Sequence, residues 1–134
     1  MPQMITTSVM DLVAQAKTEI EELDVEQTQA AIENGAMLVD IRDVRELQRE
    51  GRVPGAFHCP RGMVEFWIDP ASPYYKEAFA DDRKYVFFCA GGMRSALATK
   101  AAQDMGLKPV AHMIGGFGAW RKAGGDIEAP KPRS

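Results

Sequence analysis

The chain has 134 residues, enough for one domain with a real hydrophobic core. Its net charge of −3 and 46% hydrophobic content are those of an ordinary globular protein, and they argue against general attraction to nucleic acid or to an anionic membrane. No apolar run reaches the length of a membrane span, the start lacks the basic-then-apolar order of a secretory signal, and two cysteines make no disulfide framework, so a reducing cytoplasm is the expected setting.

Residues 1–18 read as a helical N-terminal extension. Thr7 or Ser8 caps it, and Val9, Leu12, Val13 and Ala16 form its apolar stripe. The domain proper is expected over 19–125. Glu19 to Leu23 is a short strand. Asp24, with Gln27 three residues on, opens a helix that Gly35 ends. Ala36 to Ile41 is a buried-strand run. Asp43 and Glu46 repeat the capping pattern for a helix that stops at Gly51. Val53-Pro54-Gly55-Ala56 fits a type II turn, and Ala56 to Cys59 is another strand. Met63 to Ile68 suits one or two helical turns, and Ser72-Pro73 reads as the start of a further helix. Val110 to Ile114 is a last strand. It turns at Gly115-Gly116 into a helix with Phe117 and Trp120 one turn apart. Residues 126–134 are polar and proline-rich and are expected to be mobile. Strands alternating with helices imply an α/β fold, a mainly parallel sheet covered on both faces.

The stretch Tyr85 to Gly106 carries the chemistry. Tyr85-Val86-Phe87-Phe88 is a strand that ends on Cys89. The loop Ala90-Gly91-Gly92-Met93 follows, closed by Arg94 and Ser95, and then a helix with Leu97, Ala98, Ala101, Ala102 and Met105 on its apolar face. A strand delivers Cys89 to the carboxyl edge of the sheet, where open α/β sheets place their sites. The loop and the helix start turn backbone N–H groups towards the sulfur, making a nest for an anion. A thiolate there is favoured, and its pKa is expected below the roughly 8.5 of free cysteine. Arg94 adds charge and a fork of donors, either to orient an oxyanion or to brace the loop.

The loop Cys89-Ala90-Gly91-Gly92-Met93-Arg94-Ser95 resembles the active-site loop of rhodanese-like sulfurtransferases. Three further blocks extend the likeness from Glu19 to Gly124. Val39-Asp40-Ile41-Arg42-Asp43 resembles the family's strand ending in Asp-x-Arg. Gly51-Arg52-Val53-Pro54-Gly55-Ala56 resembles Gly-His-Ile-Pro-Gly-Ala, with Arg52 where histidine is common. Gly115-Gly116-Phe117-Gly118-Ala119-Trp120 resembles the closing Gly-Gly-x-x-x-Trp. The resemblance implies a three-layer α/β/α fold around a five-stranded sheet. It also implies that Cys89 carries a sulfane sulfur as a persulfide. The partners implied are a small-molecule donor such as thiosulfate, a thiol or cyanide acceptor and, further, an acceptor protein. No cofactor is implied.

Two other functions stand beside this one. Interaction modules of the same fold typically lose the cysteine, which is present here. Phosphatase and arsenate-reductase relatives have a loop one residue longer, Cys-x5-Arg, sized for phosphate. Asp40, Arg61 and Trp67 are candidate pocket residues. For Asp40, holding Arg42 or a loop is the alternative role. His58 and His112 sit inside expected strands and read as satisfied, half-buried side chains rather than bases. No metal site is expected, because neighbouring His58 and Cys59 point to opposite faces of a strand. The family's strand order puts one strand between those of Cys59 and Cys89. Two strand spacings are about 10 Å, and a disulfide needs Cα atoms within about 7 Å. Cys59 is therefore expected to be packing.

Overall fold

The computed structural model describes residues 2–130. Five strands form one sheet: β1 (Glu21–Leu23), β2 (Met37–Asp40), β3 (Phe57–His58), β4 (Tyr85–Phe88) and β5 (Val110–Met113). Their order is β1-β5-β4-β2-β3, and every pairing is parallel. Among the described residues the α-helices are α1 (Val9–Glu19), α2 (Val25–Glu33), α3 (Val44–Glu50), α4 (Val64–Ile68), α5 (Met93–Asp104) and α6 (Gly116–Lys122). The result is the expected three-layer α/β/α arrangement.

The two-residue period of β4 explains the layers. Tyr85, Phe87 and Cys89 face one side, where they join Val39, Val64, Ile68, Phe79, Ala98 and Ala102 in one core. Val86 and Phe88 face the other side, with Leu38, Ala111, Met113, Phe117 and Trp120. β4 is buried along its whole length, as a central parallel strand must be. Each fully buried phenylalanine there stabilises the fold by roughly 1.5–3 kcal/mol.

Local signals fixed several boundaries. Asp24 accepts from Gln27 N at 2.7 Å while the Gln27 side chain accepts from Asp24 N at 2.9 Å. Asp43 accepts from Arg45 N at 2.8 Å, and Glu46 accepts from Asp43 N at 2.9 Å. Both reciprocal caps were legible in the sequence. Ser8 caps α1 by accepting from Asp11 N.

Three expectations change. The apolar stripe of α1 is only half used. Val13 and Ala16 pack on Ala96 of α5, whereas Val9 and Leu12 face outwards. Ser72-Pro73 does not start a helix. The Ser72 hydroxyl accepts from Tyr74 N at 3.1 Å, a local turn that competes with helix, and only a 3-10 turn over Glu77–Phe79 follows. The segment after residue 125 begins tied down rather than free. The Trp120 indole N–H donates to Asp126 O at 2.8 Å, Arg52 and Glu128 exchange backbone hydrogen bonds at 3.0 and 2.7 Å, and Ile127 packs on the core. A buried indole must find an acceptor, and this segment supplies it. Residues 131–134 of the tail lie outside the described residues.

Candidate active site

Cys89 follows β4 directly and is buried, 1% exposed. Gly92 takes φ +112° and is the N-cap of α5, so it has no side chain to cap with. The sulfur of Cys89 takes over that task. Gly92 N donates to Cys89 Sγ at 3.1 Å and Ser95 N donates at 3.4 Å, from the N-cap and N3 positions of α5. The Ser95 hydroxyl lies 3.6 Å from the sulfur. Within the loop, Gly92 is thus the donor that reaches the sulfur, and the second N–H comes from Ser95 rather than from Ala90, Gly91, Met93 or Arg94.

The loop rests on α6. Phe117 N donates to Cys89 O at 2.8 Å and Gly118 N to Ala90 O at 3.1 Å. The free N–H groups at the start of α6 are thereby spent on the loop's carbonyls. Gly116, at φ +55°, lies against the same carbonyls with no room for a side chain.

Arg94 does not turn into the nest. Its Nη1 and Nη2 each donate to Glu46 at 2.9 Å, a bidentate pair that clamps the first turn of α5 to the first turn of α3. The bracing role is the one this geometry supports. The hydrogen bonds from Arg94 hold the Glu46 carboxyl down at about 2 from its ordinary 4.5, against the opposing effect of burial, and Glu46 in turn raises Arg94. A carboxylate depressed in the folded state stabilises it above its unfolded pKa and loses that contribution as pH falls. The Glu46→Gln variant keeps the cap acceptor and loses the charge. It should be less stable than the wild type by about 1 kcal/mol at neutral pH, a modest figure because Arg94 is half exposed and screened by solvent. The gap should close between about pH 4.5 and 2, as thermal melts of the two proteins across that range will show.

Asp40 is buried and holds Arg42. Arg42 Nε donates to Asp40 at 3.0 Å, Arg42 Nη2 donates at 2.8 Å, and Arg42 N donates to Asp40 Oδ1 at 3.0 Å. Arg42 Nη2 also donates to Gly51 O at 3.0 Å, and its guanidinium lies 4.0 Å from the Phe117 ring centroid. Arg61, in a 3-10 turn over Arg61–Met63 that leads into α4, donates to Glu65 of α4 at 2.8 Å. Trp67 packs beside Phe57, with Lys76 over its ring. Asp40, Arg61 and Trp67 each have their own partners, and none of them bonds Cys89.

Cys59 and Cys89 are both free thiols, and β2 separates their strands as expected. Burial pushes the Cys59 thiol up to about 12. His58 Nε2 donates to Arg42 O at 2.7 Å and is satisfied. His112 is fully buried rather than half-buried, with Ser95 on one ring nitrogen at 2.8 Å and Glu22 on the other at 2.9 Å. Its link to Ser95 connects it to the Cys89 loop, which sequence reasoning missed. The signal was register. His112 pairs with Phe87, two residues before Cys89 and on the same face.

The fold and the presented thiol define an α/β domain with a cysteine loop at the carboxyl edge of a parallel sheet. The family model described as a rhodanese-like domain matches residues 24–123, and the chain belongs to that family. It is 57% identical to a Rhodopseudomonas palustris protein of unknown function, possible tyrosine phosphatase, whose solved structure superposes with a TM-score of 0.91 over 96% of this chain and 99% of that one. It is 31% identical to the thiosulfate sulfurtransferase GlpE of Pseudomonas savastanoi, over 78% of this chain and 90% of that protein. It is 28% identical to the mouse thiosulfate sulfurtransferase/rhodanese-like domain-containing protein 3, over 63% of this chain, and spans only 57% of that protein's length. Sulfurtransferases are thus among its relatives. Among the described residues, no helix is long and apolar enough to cross a membrane.

Proposed function

We propose that the chain is a sulfurtransferase that carries a sulfane sulfur on Cys89. The Cys89 thiolate attacks the outer sulfur of a donor such as thiosulfate. The S–S bond of the donor breaks, sulfite leaves with the bonding pair, and Cys89 becomes a persulfide. A thiolate or cyanide acceptor then attacks the outer sulfur, and the Cys89 thiolate is restored. The observation that carries this reading is the pair of N–H groups, of Gly92 and Ser95, aimed at the Cys89 sulfur. Donors already in place cost no reorganisation when negative charge moves between the two sulfurs.

Phosphate-ester hydrolysis is the second reading, favoured by the name of the Rhodopseudomonas palustris relative. Four residues separate Cys89 from Arg94, and Arg94 spends both guanidinium arms on Glu46. A phosphate group would find no free guanidinium in the loop, and this supports sulfur transfer over hydrolysis.

Intact mass after brief incubation with thiosulfate, mercaptopyruvate or glutathione persulfide tests the proposal. The wild type should gain one sulfur that a reducing agent removes, and Cys89→Ser should gain none. No loading from any of the three donors, together with hydrolysis of p-nitrophenyl phosphate, would reverse the order of the two readings.

A further inference from the structure

Behind the sulfur lies an unbroken line of polar groups. Cys89 Sγ is 3.6 Å from Ser95 Oγ, Ser95 Oγ is 2.8 Å from His112 Nδ1, and His112 Nε2 is 2.9 Å from Glu22 Oε2. The line joins β4, α5, β5 and β1 in turn, and Glu22 is the direct register partner of His112. Cys89, Ser95 and His112 are all buried, whereas the Glu22 side chain is 28% exposed.

The proton assignments follow from chemistry. An ionised carboxylate only accepts, so His112 Nε2 carries the hydrogen and donates to Glu22. In the neutral imidazole, Nδ1 is then a bare lone pair, and it accepts from the Ser95 hydroxyl. A lone pair of Ser95 Oγ is left for the thiol hydrogen of Cys89. Gly92 O, at 3.3 Å, is the one competing acceptor for the Ser95 hydroxyl, and it is the longer bond.

We infer that His112, acting through Ser95, takes up the proton that Cys89 loses when it becomes a thiolate. The S–H bond breaks and its proton binds Ser95 Oγ. The original Ser95 proton moves to His112 Nδ1. The products are a thiolate and an imidazolium held by Glu22, with no change in the number of protons bound. The Ser95 hydroxyl now carries its hydrogen on the sulfur side and joins the two N–H donors. His112 touches no reacting atom, so it is a positioning residue.

The surroundings act on the ring in both directions, and their net effect is to lower its pKa. Burial lowers the His112 pKa and keeps the imidazole neutral while Cys89 is a thiol. The bond to Glu22 pulls the other way and supports the charged form once a proton arrives, while Lys17 of α1 opposes it. Glu22 from β1 and Lys17 from α1 are the charged groups acting on the ring. α5 contributes neutral Ser95, and β4 places Phe87 level with it.

This inference rests on the reading of Cys89 as the nucleophile, and alkylation tests it without any sulfur donor. Iodoacetamide rates are measured across pH by following loss of the free Cys89 thiol. In His112→Asn the rate at about pH 6.5 should fall roughly ten-fold, while at about pH 9.5, where hydroxide ionises the thiol directly, it should stay within about two-fold of the wild type. Glu22→Gln, at a partly exposed position that keeps its hydrogen bond, should show the same pH-selective loss at about three-fold. This second variant carries the test if His112→Asn does not fold. A merely structural imidazole would move both ends of the profile alike. An equal slowing at both pH values, or no change in either variant, overturns the inference. If alkylation behaves as expected but the wild type loads no sulfur, the sulfurtransferase reading falls and the relay stands.

Discussion

Asp40→Ala should lose about 3–5 kcal/mol of stability, because it strands a fully buried guanidinium. Arg42 is 0% exposed; Asp40 holds it by hydrogen bonds, and Glu50 forms a looser ion pair with Nη1 at 3.9 Å. The support left after Asp40 is removed is that ion pair, one carbonyl, Gly51 O, and the faces of Phe117 and Phe88. One guanidinium nitrogen, Nη1, is already without a hydrogen-bond partner. A loss of this size in a domain of this length lowers the melting midpoint by roughly 10–20 °C. The double variant Asp40→Leu with Arg42→Met removes both charges and keeps similar bulk, so it should melt above Asp40→Ala. If Asp40→Ala melts within a few degrees of the wild type, the pair does not hold this edge of the sheet.

Gly116→Ala should cost about 2–4 kcal/mol, from overpacking and from a left-handed backbone. A Cβ at this position would sit far inside contact distance of Cys89 O and 2.9 Å from Ala90 O. Both neighbours are backbone, so neither has a flexible side chain to swing away. Relief comes only by lifting α6 from the loop, which breaks the bonds from Phe117 N and Gly118 N. The loop would lose its floor, and the alkylation rate of Cys89 should change with it. Gly91→Ala is the matched control, because no atom lies within 4 Å of the added carbon. Equal melting temperatures for the two variants would refute the steric argument.

What was legible in the sequence was local. The strand-loop-helix around Cys89, both capping boxes and the Pro54-Gly55 turn depend on residues a few positions apart, and each appears as read. Gly55 at φ +80° and the bond from Ala56 N to Val53 O complete that turn. What was not legible depends on residues far apart. Glu46 was read as a helix cap. It is one, but it also takes both arms of Arg94 from 48 residues away. No spacing rule announces that second bond, and it keeps Arg94 out of the nest around Cys89. His112 is similar. Its strand position was right, but its meaning depends on Ser95 and Glu22, which only the sheet order and the packing of α5 bring together. Ser72 failed for the opposite reason. Its hydroxyl could cap a helix or close a turn, and the chain took the turn.

The pairing of Arg94 with Glu46 has a consequence for how a donor would arrive in the proposed reaction. The single guanidinium of the loop is balanced by a carboxylate, so the field at Cys89 comes mainly from oriented N–H dipoles. Such a field fades within a few ångströms, well inside the roughly 8 Å over which physiological salt screens charge. The net charge of −3 does not draw an anion in from a distance, and the loop's own guanidinium is already paired. Ionic strength therefore has little to act on at this mouth. In the proposed reaction, selection among donors would fall to shape and hydrogen bonding after contact, not to steering before it.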